Sequence, residues 1–352
     1  MNFEETLQNI KTVDAAAAAR ARARWNSIAK PLYSLGVLEE DICRIAAIQG
    51  TSAVRIDKAG LIVMCADNGV VAEGVSQVGQ EVTASVTENF VKHATSTAVM
   101  APHAGVDIFP VDIGVNARLT APGIIDRKIA MGTKNLAVEP AMTREQAIRA
   151  IEVGIEMVAE LTGRGYNILL TGEMGIGNTT TSSAILAVLL DEPIEKLTGK
   201  GSGLRADGLE RKKNAIARGI ALHQPDPADP IDVLAKVGGL DIAGLVGVFL
   251  GGALYGVPVL VDGVISAAAA LVAQRICPDA AGYMLASHCS KEPAGELALQ
   301  ALGLRPVVLA DMCLGEGSGA MVFLPVLRLA LAVYDEMSTF DETQIEDYNN
   351  LV

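Results

Sequence analysis

Three glycine-flanked stretches carry the side chains best suited to chemistry. "TGEMGIGNTTT" (171–181) follows the apolar run Ile168–Leu170 and leads into another, Ala184–Leu190. Gly175 and Gly177 let the backbone approach a ligand closely. Asn178, Thr179 or Thr180 could cap a following helix, whose N–H groups then face an anion. No Lys precedes the Thr pair, so this is not the Walker phosphate loop. An ordinary strand–turn–helix with a Thr cap fits the spacing equally well. "TGKGSGLRADGLERKKNAI" (198–216) joins Gly199, Gly201 and Gly203 to a basic helical pattern, with Asp207 as a candidate cap. Lys212 or Lys213 would reach a phosphate as a point charge; a solvated basic helix face is the competing reading. "LGEGSGA" (314–320) sets Glu316 between glycines. A carboxylate on so bare a backbone can point into a cleft, and carboxylates partly withdrawn from water accept protons near neutral pH. A Glu favoured by a helix N-terminus is the plainer alternative.

These loops need elements to hold them. Leu61–Gly69, Asp107–Val115, Tyr166–Gly175, Val257–Gly263, Gly282–Ser287 and Pro306–Asp311 read as strands or strand ends. Arg144–Leu161, the residues after Gly177, Leu209–Leu222 and one long apolar stretch from Ile231 to about Tyr255 read as helices. Continuous apolar strands separated by helices predict an α/β fold, with a mainly parallel sheet covered on both faces. Ligands in such sheets gather at the carboxyl ends of the strands. Polar residues stand at those ends: Asp67-Asn68, Asp112, Glu173, Asp262, Ser287-His288 and the segment from Asp311 to Glu316. Their recurrence predicts one shared cleft. The Ala-rich segment before Pro31 and the helix from Leu324 to about Tyr334 are expected to form a smaller helical lobe (1–59 plus 323–352) beside a large domain (60–322). The acidic "DETQIEDYNN" at the end reads as frayed.

Composition narrows the function. The chain of 352 residues is half hydrophobic but only 4% aromatic, and carries a formal charge of −13. A surface that acidic repels nucleic acid and anionic lipid, so no nucleic-acid partner is expected. Five cysteines without a CxxC pair read as reduced thiols of a cytoplasmic protein, and four scattered histidines without HExxH give no metal site. The acidic N-terminus has no apolar signal core. The apolar stretch from Leu240 to Ala273 is interrupted by Gly251-Gly252, Pro258, Asp262 and Gly263, which predicts buried elements and no membrane span.

Taken together and in order, the motifs resemble one family, nicotinate-nucleotide–dimethylbenzimidazole phosphoribosyltransferase. The resemblance runs through "KPLYSLG" (30–36), "VMCADNGV" (63–70), "EVTASVTENF" (81–90), "TGEMGIGNTT" (171–180), "DVLAKVGGLDIAGLVG" (232–247), "PVLVDG" (258–263), "SHCSKEPAG" (287–295) and "LGEGSGA". It implies a Rossmann-like sheet, a small helical lobe and a dimer, either of identical chains or with a paralogous subunit. It also implies transfer of phosphoribose from nicotinate mononucleotide to an aromatic aglycone with inversion at C1′, without cofactor or metal. On that resemblance Glu316 is the catalytic base and Glu173 a second active-site carboxylate. Gly175, Gly177, Asn178, Thr179 and Thr180 belong to the nucleotide-binding loop, and Lys212, Gly201 and Ser290 to the phosphate site. The aglycone side departs from the family pattern. Val78-Gly79 stand where the family usually has Ser-Pro, Val86 where it usually has Gln, with Leu314 beside them, and Tyr33 where it commonly has Gly. Loss of polar groups favours a plainer ring, so the expected acceptor is phenol or p-cresol, as in the two-subunit branch of the family. Benzimidazole or purine is the rival acceptor. A non-catalytic subunit supporting a catalytic paralogue and a nucleotide-binding regulator are the rival functions.

Overall fold

The structure is a computed structural model that describes residues 3–201 and 203–346. The last residues of the acidic tail (347–352) lie outside the described residues. Its centre is a sheet of six strands: β1 (Ala59–Ala66), β2 (Val106–Gly114), β3 (Ile125–Asp126), β4 (Ile168–Met174), β5 (Val259–Val261) and β6 (Met284–Ala286). Every pairing is parallel and the order is β3-β2-β1-β4-β5-β6. β1 is buried along its whole length, as its unbroken apolar run requires of a central strand covered on both faces. The strand order reverses direction between β1 and β4, which opens a crevice at their carboxyl ends.

Helices fill both faces. In chain order they are α1 (Phe3–Asn9), α2 (Ala15–Ser27), α3 (Val37–Gln49), α4 (Glu81–Val91), α5 (Ser96–Ala104), α6 (Arg144–Gly163), α7 (Asn178–Leu190), α8 (Ile194–Leu197), α9 (Ala206–His223), α10 (Pro230–Val237), α11 (Leu240–Tyr255), α12 (Val264–Ile276), α13 (Ala294–Leu302), α14 (Ser318–Glu336) and α15 (Phe340–Thr343). α11 has the closest partner, α6. A Cβ on Gly247 would lie 1.9 Å from the Ile151 carbonyl oxygen, so the two helices meet backbone to backbone and only glycine fits there. That close approach fixes the start of α11, where Asp241 sits behind the site. α2 packs on α3, and the end of the chain returns to them through a bridge between Ile28 and Thr339. The Arg24 guanidinium donates to the Tyr334 and Met337 carbonyls across the same seam.

Several expectations change. The stretch from Ile231 to Tyr255 is two helices, because the backbone is extended at Gly238 and Gly239 and carries no helix across them. Pro306–Asp311 is no buried strand. Only Val308 forms a single parallel bridge with His288, and Leu309 is 79% exposed. Pro306 supplies no N–H and no further strand covers this edge among the described residues, so pairing stops there. The N-terminal helix ends at Ser27, ahead of Pro31. The final long helix begins at Ser318, six residues before Leu324, because Asp262 accepts from the N–H groups of its first turn. The acidic tail does not fray from its first residue, since Thr339 caps the short helix that holds Asp341–Thr343. The helix Ser318–Glu336 is the one among the described residues long and apolar enough to cross a membrane, and half of it is buried against the rest of the fold.

Candidate active site

A cavity of about 240 Å³ opens at the carboxyl ends of the central strands. β4 delivers Glu173 to it, and the turn Gly175–Gly177 leads into Asn178 and Thr179 at the start of α7. Asp262 follows β5, while His288, Ser290 and Glu292 follow β6. Leu314, Gly315 and Glu316 arrive from the loop before α14, and Val86 comes from α4.

Glu316 rests on an unusual backbone. Gly315, Glu316 and Gly317 have φ of 84°, 60° and 84°, three left-handed residues in a row. A non-glycine residue is uncommon there and persists where its surroundings hold it. Asp262 does the holding. Its buried carboxylate accepts from the Gly317 N–H at 3.2 Å, the Gly319 N–H at 2.7 Å and the Ala320 N–H at 3.0 Å. Burial pushes the Asp262 carboxyl up, and His288 together with those N–H donors opposes the push. The Glu316 Oε2 then sits at the N-terminus of α5, where the Thr97 hydroxyl and N–H donate to it at 3.1 and 3.4 Å. Gly315 also makes room for the second carboxylate, since a Cβ there would lie 2.6 Å from Glu173 Oε1.

Glu173 is 7% exposed and faces only like charges. Burial first, then Asp241, Asp262 and Glu316, push its carboxyl up to about 8, against the Asn178 amide that lowers it. Asn178 donates through Nδ2 to Glu173 Oε2 and, at 3.0 Å, to Asp241 Oδ2. Asp241 is fully buried at the start of α11, and burial pushes it up to about 7. Behind Thr179, the residue next to Asn178, Lys212 is fully buried and donates through Nζ to Thr179 Oγ1 at 2.8 Å and to the Gly199 carbonyl at 3.1 Å. Burial pushes its amine down to about 8, and Glu292 raises it. The Gly201 N–H donates to Glu292 Oε1 at 3.1 Å, so a carboxylate occupies this donor-rich corner. With the first turn of α7 alongside, the corner suits an anion.

The structure gathers Glu316, Glu173, Gly175, Gly177, Asn178, Thr179, Gly201, Ser290, Val86 and Leu314 on the cavity wall. Lys212 lies one layer back, behind Thr179. Thr180 is buried in α7 away from the wall, because successive helical residues point in different directions. Val78 and Gly79 lie on the loop before α4, outside the cavity; Val78 is 40% exposed and the Gly79 N–H is tied to Glu81. The expected caps also shift. Gly177, left-handed at φ 96°, takes the N-cap of α7, which leaves the Asn178 side chain free to join the carboxylates. Asp207 lies inside the first turn of α9 and pairs with Arg211 at 2.7 Å, and Lys213 pairs with Glu210. Asp241, Glu292 and Thr97 carried no role in the sequence. A lone Asp after Gly238-Gly239 at the head of an apolar run was the available signal for Asp241; Thr97 had none.

A family model described as phosphoribosyltransferase matches residues 10–345. Nicotinate-nucleotide–dimethylbenzimidazole phosphoribosyltransferase of Ruminiclostridium cellulolyticum is 48% identical over 351 residues, all of both chains. The protein of the same name from Halalkalibacterium halodurans is 46% identical over 342 residues, 97% of this chain and 96% of its own. The crystal structure of the Thermus thermophilus protein of that name superposes with a TM-score of 0.88 at 39% identity, covering 95% of this chain and 99% of that one. With this fold, this cavity and matches of that length, the chain belongs to the nicotinate-nucleotide–dimethylbenzimidazole phosphoribosyltransferase family.

Proposed function

We propose that the chain transfers the phosphoribosyl group of nicotinate mononucleotide to an aromatic base of the dimethylbenzimidazole class. The acceptor nitrogen attacks C1′, the bond to the pyridinium nitrogen breaks, and the β-nucleotide becomes an α-linked 5′-phosphate with release of nicotinate. The pyridine leaves with the bonding electron pair, so no acid need protonate it. What the reaction needs is orientation, a base for the acceptor proton and tolerance of positive charge on the ribose. Glu316 is the base. Glu173 faces the ribosyl group. Gly177, Thr179, Gly201 and Ser290 surround the phosphate, with Lys212 as the cation behind them. The observation that carries this reading is that both glutamates and the Lys212-backed corner border one cavity.

Of Val78, Gly79, Val86 and Tyr33, the four departures from the family pattern, only Val86 lines the cavity, and this supports the base over the phenol. Phenol or p-cresol is the second reading, favoured by Val86 alone. Dimerisation, with itself or a paralogue, is supported by exposed Tyr33, Leu309 and Leu329. Five free cysteines suit the cytoplasm.

Glu316→Gln tests the assignment. Turnover should fall by about 10²–10⁴-fold with the KM for nicotinate mononucleotide little changed. Unchanged turnover would remove Glu316 as base. Nucleotide binding by the native chain without turnover of dimethylbenzimidazole, adenine, phenol or p-cresol favours a regulator. Turnover that appears only with a paralogue added favours a supporting subunit.

A further inference from the structure

Glu173 and Asp241 are two carboxyl groups joined by one amide, and only Glu173 reaches the cavity. Asn178 Nδ2 donates to both. Asp241 is enclosed: a Cβ on Gly175 would come 2.5 Å from its Oδ2, and one on Gly239 would come 2.4 Å from its Oδ1. Among the described residues its Oδ1 has no hydrogen bond of ordinary geometry, and the Asn178 and Asn68 amides with the nearby backbone N–H groups only partly offset the burial that raises it. The titratable groups around the pair come from each neighbouring element. They are Asp262 after β5, Glu316 before α14, the buried Cys65 thiol on β1, and His288 beyond Asp262. None of the charges acting on Glu173 is positive.

We propose that Asp241 is a positioning residue that sets the charge of Glu173, the two carboxyl groups holding one proton between them in the active enzyme. Like charges this close in a buried site do not both ionise, and the pair titrates as a unit. The consequence concerns substrate entry, and it rests on the reading that Glu173 faces the ribosyl group. Nicotinate mononucleotide is an anion. Ionised together, Glu173, Asp241, Asp262 and Glu316 would repel it; a proton shared by Glu173 and Asp241 lowers that repulsion and leaves one negative charge on the pair for the ribose as it becomes positive. Loss of the proton as pH rises through about 8 restores the repulsion.

The pH dependence of KM tests this. In the native enzyme the KM for nicotinate mononucleotide should rise by about tenfold between about pH 7 and about pH 9, the effect of one added charge at close range. In Asp241→Asn the pair becomes one Glu and one amide. Burial, Asp262 and Glu316 still raise Glu173 but Asp241 no longer does, so Glu173 ionises at lower pH and the rise in KM should move toward acid pH and shrink between about pH 7 and about pH 9. A purely structural Asp241 would raise KM equally at every pH, and that outcome overturns the proposal. A second measurement uses the native protein alone. In carboxyl-labelled enzyme the infrared C=O stretch of protonated acid should include a component lost only as the pH passes about 8 and absent in Glu173→Gln, distinct from the part that buried Asp41 and Asp241, each raised to about 7, lose at lower pH. No such component in the native enzyme near neutral pH overturns the proposal even if turnover proceeds as described, whereas that component without turnover leaves the pair intact and removes the assigned reaction.

Discussion

The two ends of the cavity bury opposite charges and solve the problem differently. At one end Lys212 has a carboxylate, Glu292, acting on it and a hydroxyl and a carbonyl to donate to. At the other, Glu173 has an amide and otherwise only acids. Burial drives both toward neutrality, Lys212 down and Glu173 up, each to about 8. The Lys212 end is therefore short of a dianion that would restore its charge, while the Glu173 end is short of a positive centre. A nucleotide that carries phosphate at one end and a ribose becoming cationic at the other fills both needs. The fold stores the mismatch and the substrate relieves it.

The largest way to break this comparison is to remove the cation. Lys212→Met should raise the KM for nicotinate mononucleotide by about 100-fold, the effect of losing a buried charge-assisted contact, with a smaller change in kcat. Lys212→Arg should not restore it, because the guanidinium is longer and planar and the site is closed around an ammonium. A Met variant with native KM would show that the phosphate lies elsewhere. Competition by inorganic phosphate gives an independent reading of the same corner.

The residues at the two ends differ in how far the sequence disclosed them. The sheet was legible because β1 and β5 are apolar runs and β4 opens on Ile168–Leu170, each followed by polar residues, and those polar residues are where the cavity opens. Glu173, Glu316 and the Gly–Asn–Thr turn were legible because polar residues between glycines are conspicuous. The reason Glu316 can point inward was not, since it depends on Asp262, some fifty residues earlier, accepting from the loop N–H groups. Asp241 and Glu292 were hidden for the same cause: each acts through a neighbour remote in sequence, Asn178 for one and Gly201 for the other. Thr180 shows the converse, since it neighbours Thr179 along the chain and does not share its wall.

Stability against pH sharpens the comparison with a smaller effect. Glu173 has a folded-state value, about 8, above the ordinary 4.5. At low pH it is protonated in folded and unfolded chains alike and costs nothing. The penalty grows as pH rises from the ordinary value to about 8 and then stays constant. Lys212 has a folded-state value of about 8, below the ordinary 10.5, so its penalty is complete below 8 and is released as pH rises toward 10.5. The two penalties overlap near pH 8, where the ligand-free protein should show a local minimum in the stability they contribute. Each is worth a few kcal/mol by linkage, at about 1.4 kcal/mol for every tenfold change in proton affinity between the folded and unfolded chains. Denaturant midpoints taken from about pH 4 to about pH 11 cover both transitions. Glu173→Gln should reduce the acid side of the minimum, leaving the slope that buried Asp41 and Asp241 contribute below about pH 7, and Lys212→Met should flatten the alkaline side. A minimum that survives both variants belongs to other groups. Nicotinate mononucleotide should fill it in, since binding restores the Lys212 charge.

The smallest expected effect lies between the ends, on the wall where Val86 sits. If the charged ends govern affinity for the nucleotide, the wall governs only which ring attacks. Val86→Gln adds an amide to a half-buried position on α4 that already lines the cavity. A benzimidazole carries a ring nitrogen and an N–H that such an amide can meet, whereas p-cresol offers one hydroxyl and an apolar methyl. The ratio of kcat/KM for dimethylbenzimidazole over p-cresol should rise by about 3–10-fold, within the range one added polar contact gives. The KM for nicotinate mononucleotide should stay as it was. A change in nucleotide KM would mean that the wall and the charged ends are coupled and do not divide the work between them. A change in the ratio alone would show that the acceptor pocket can be retuned without touching either buried charge.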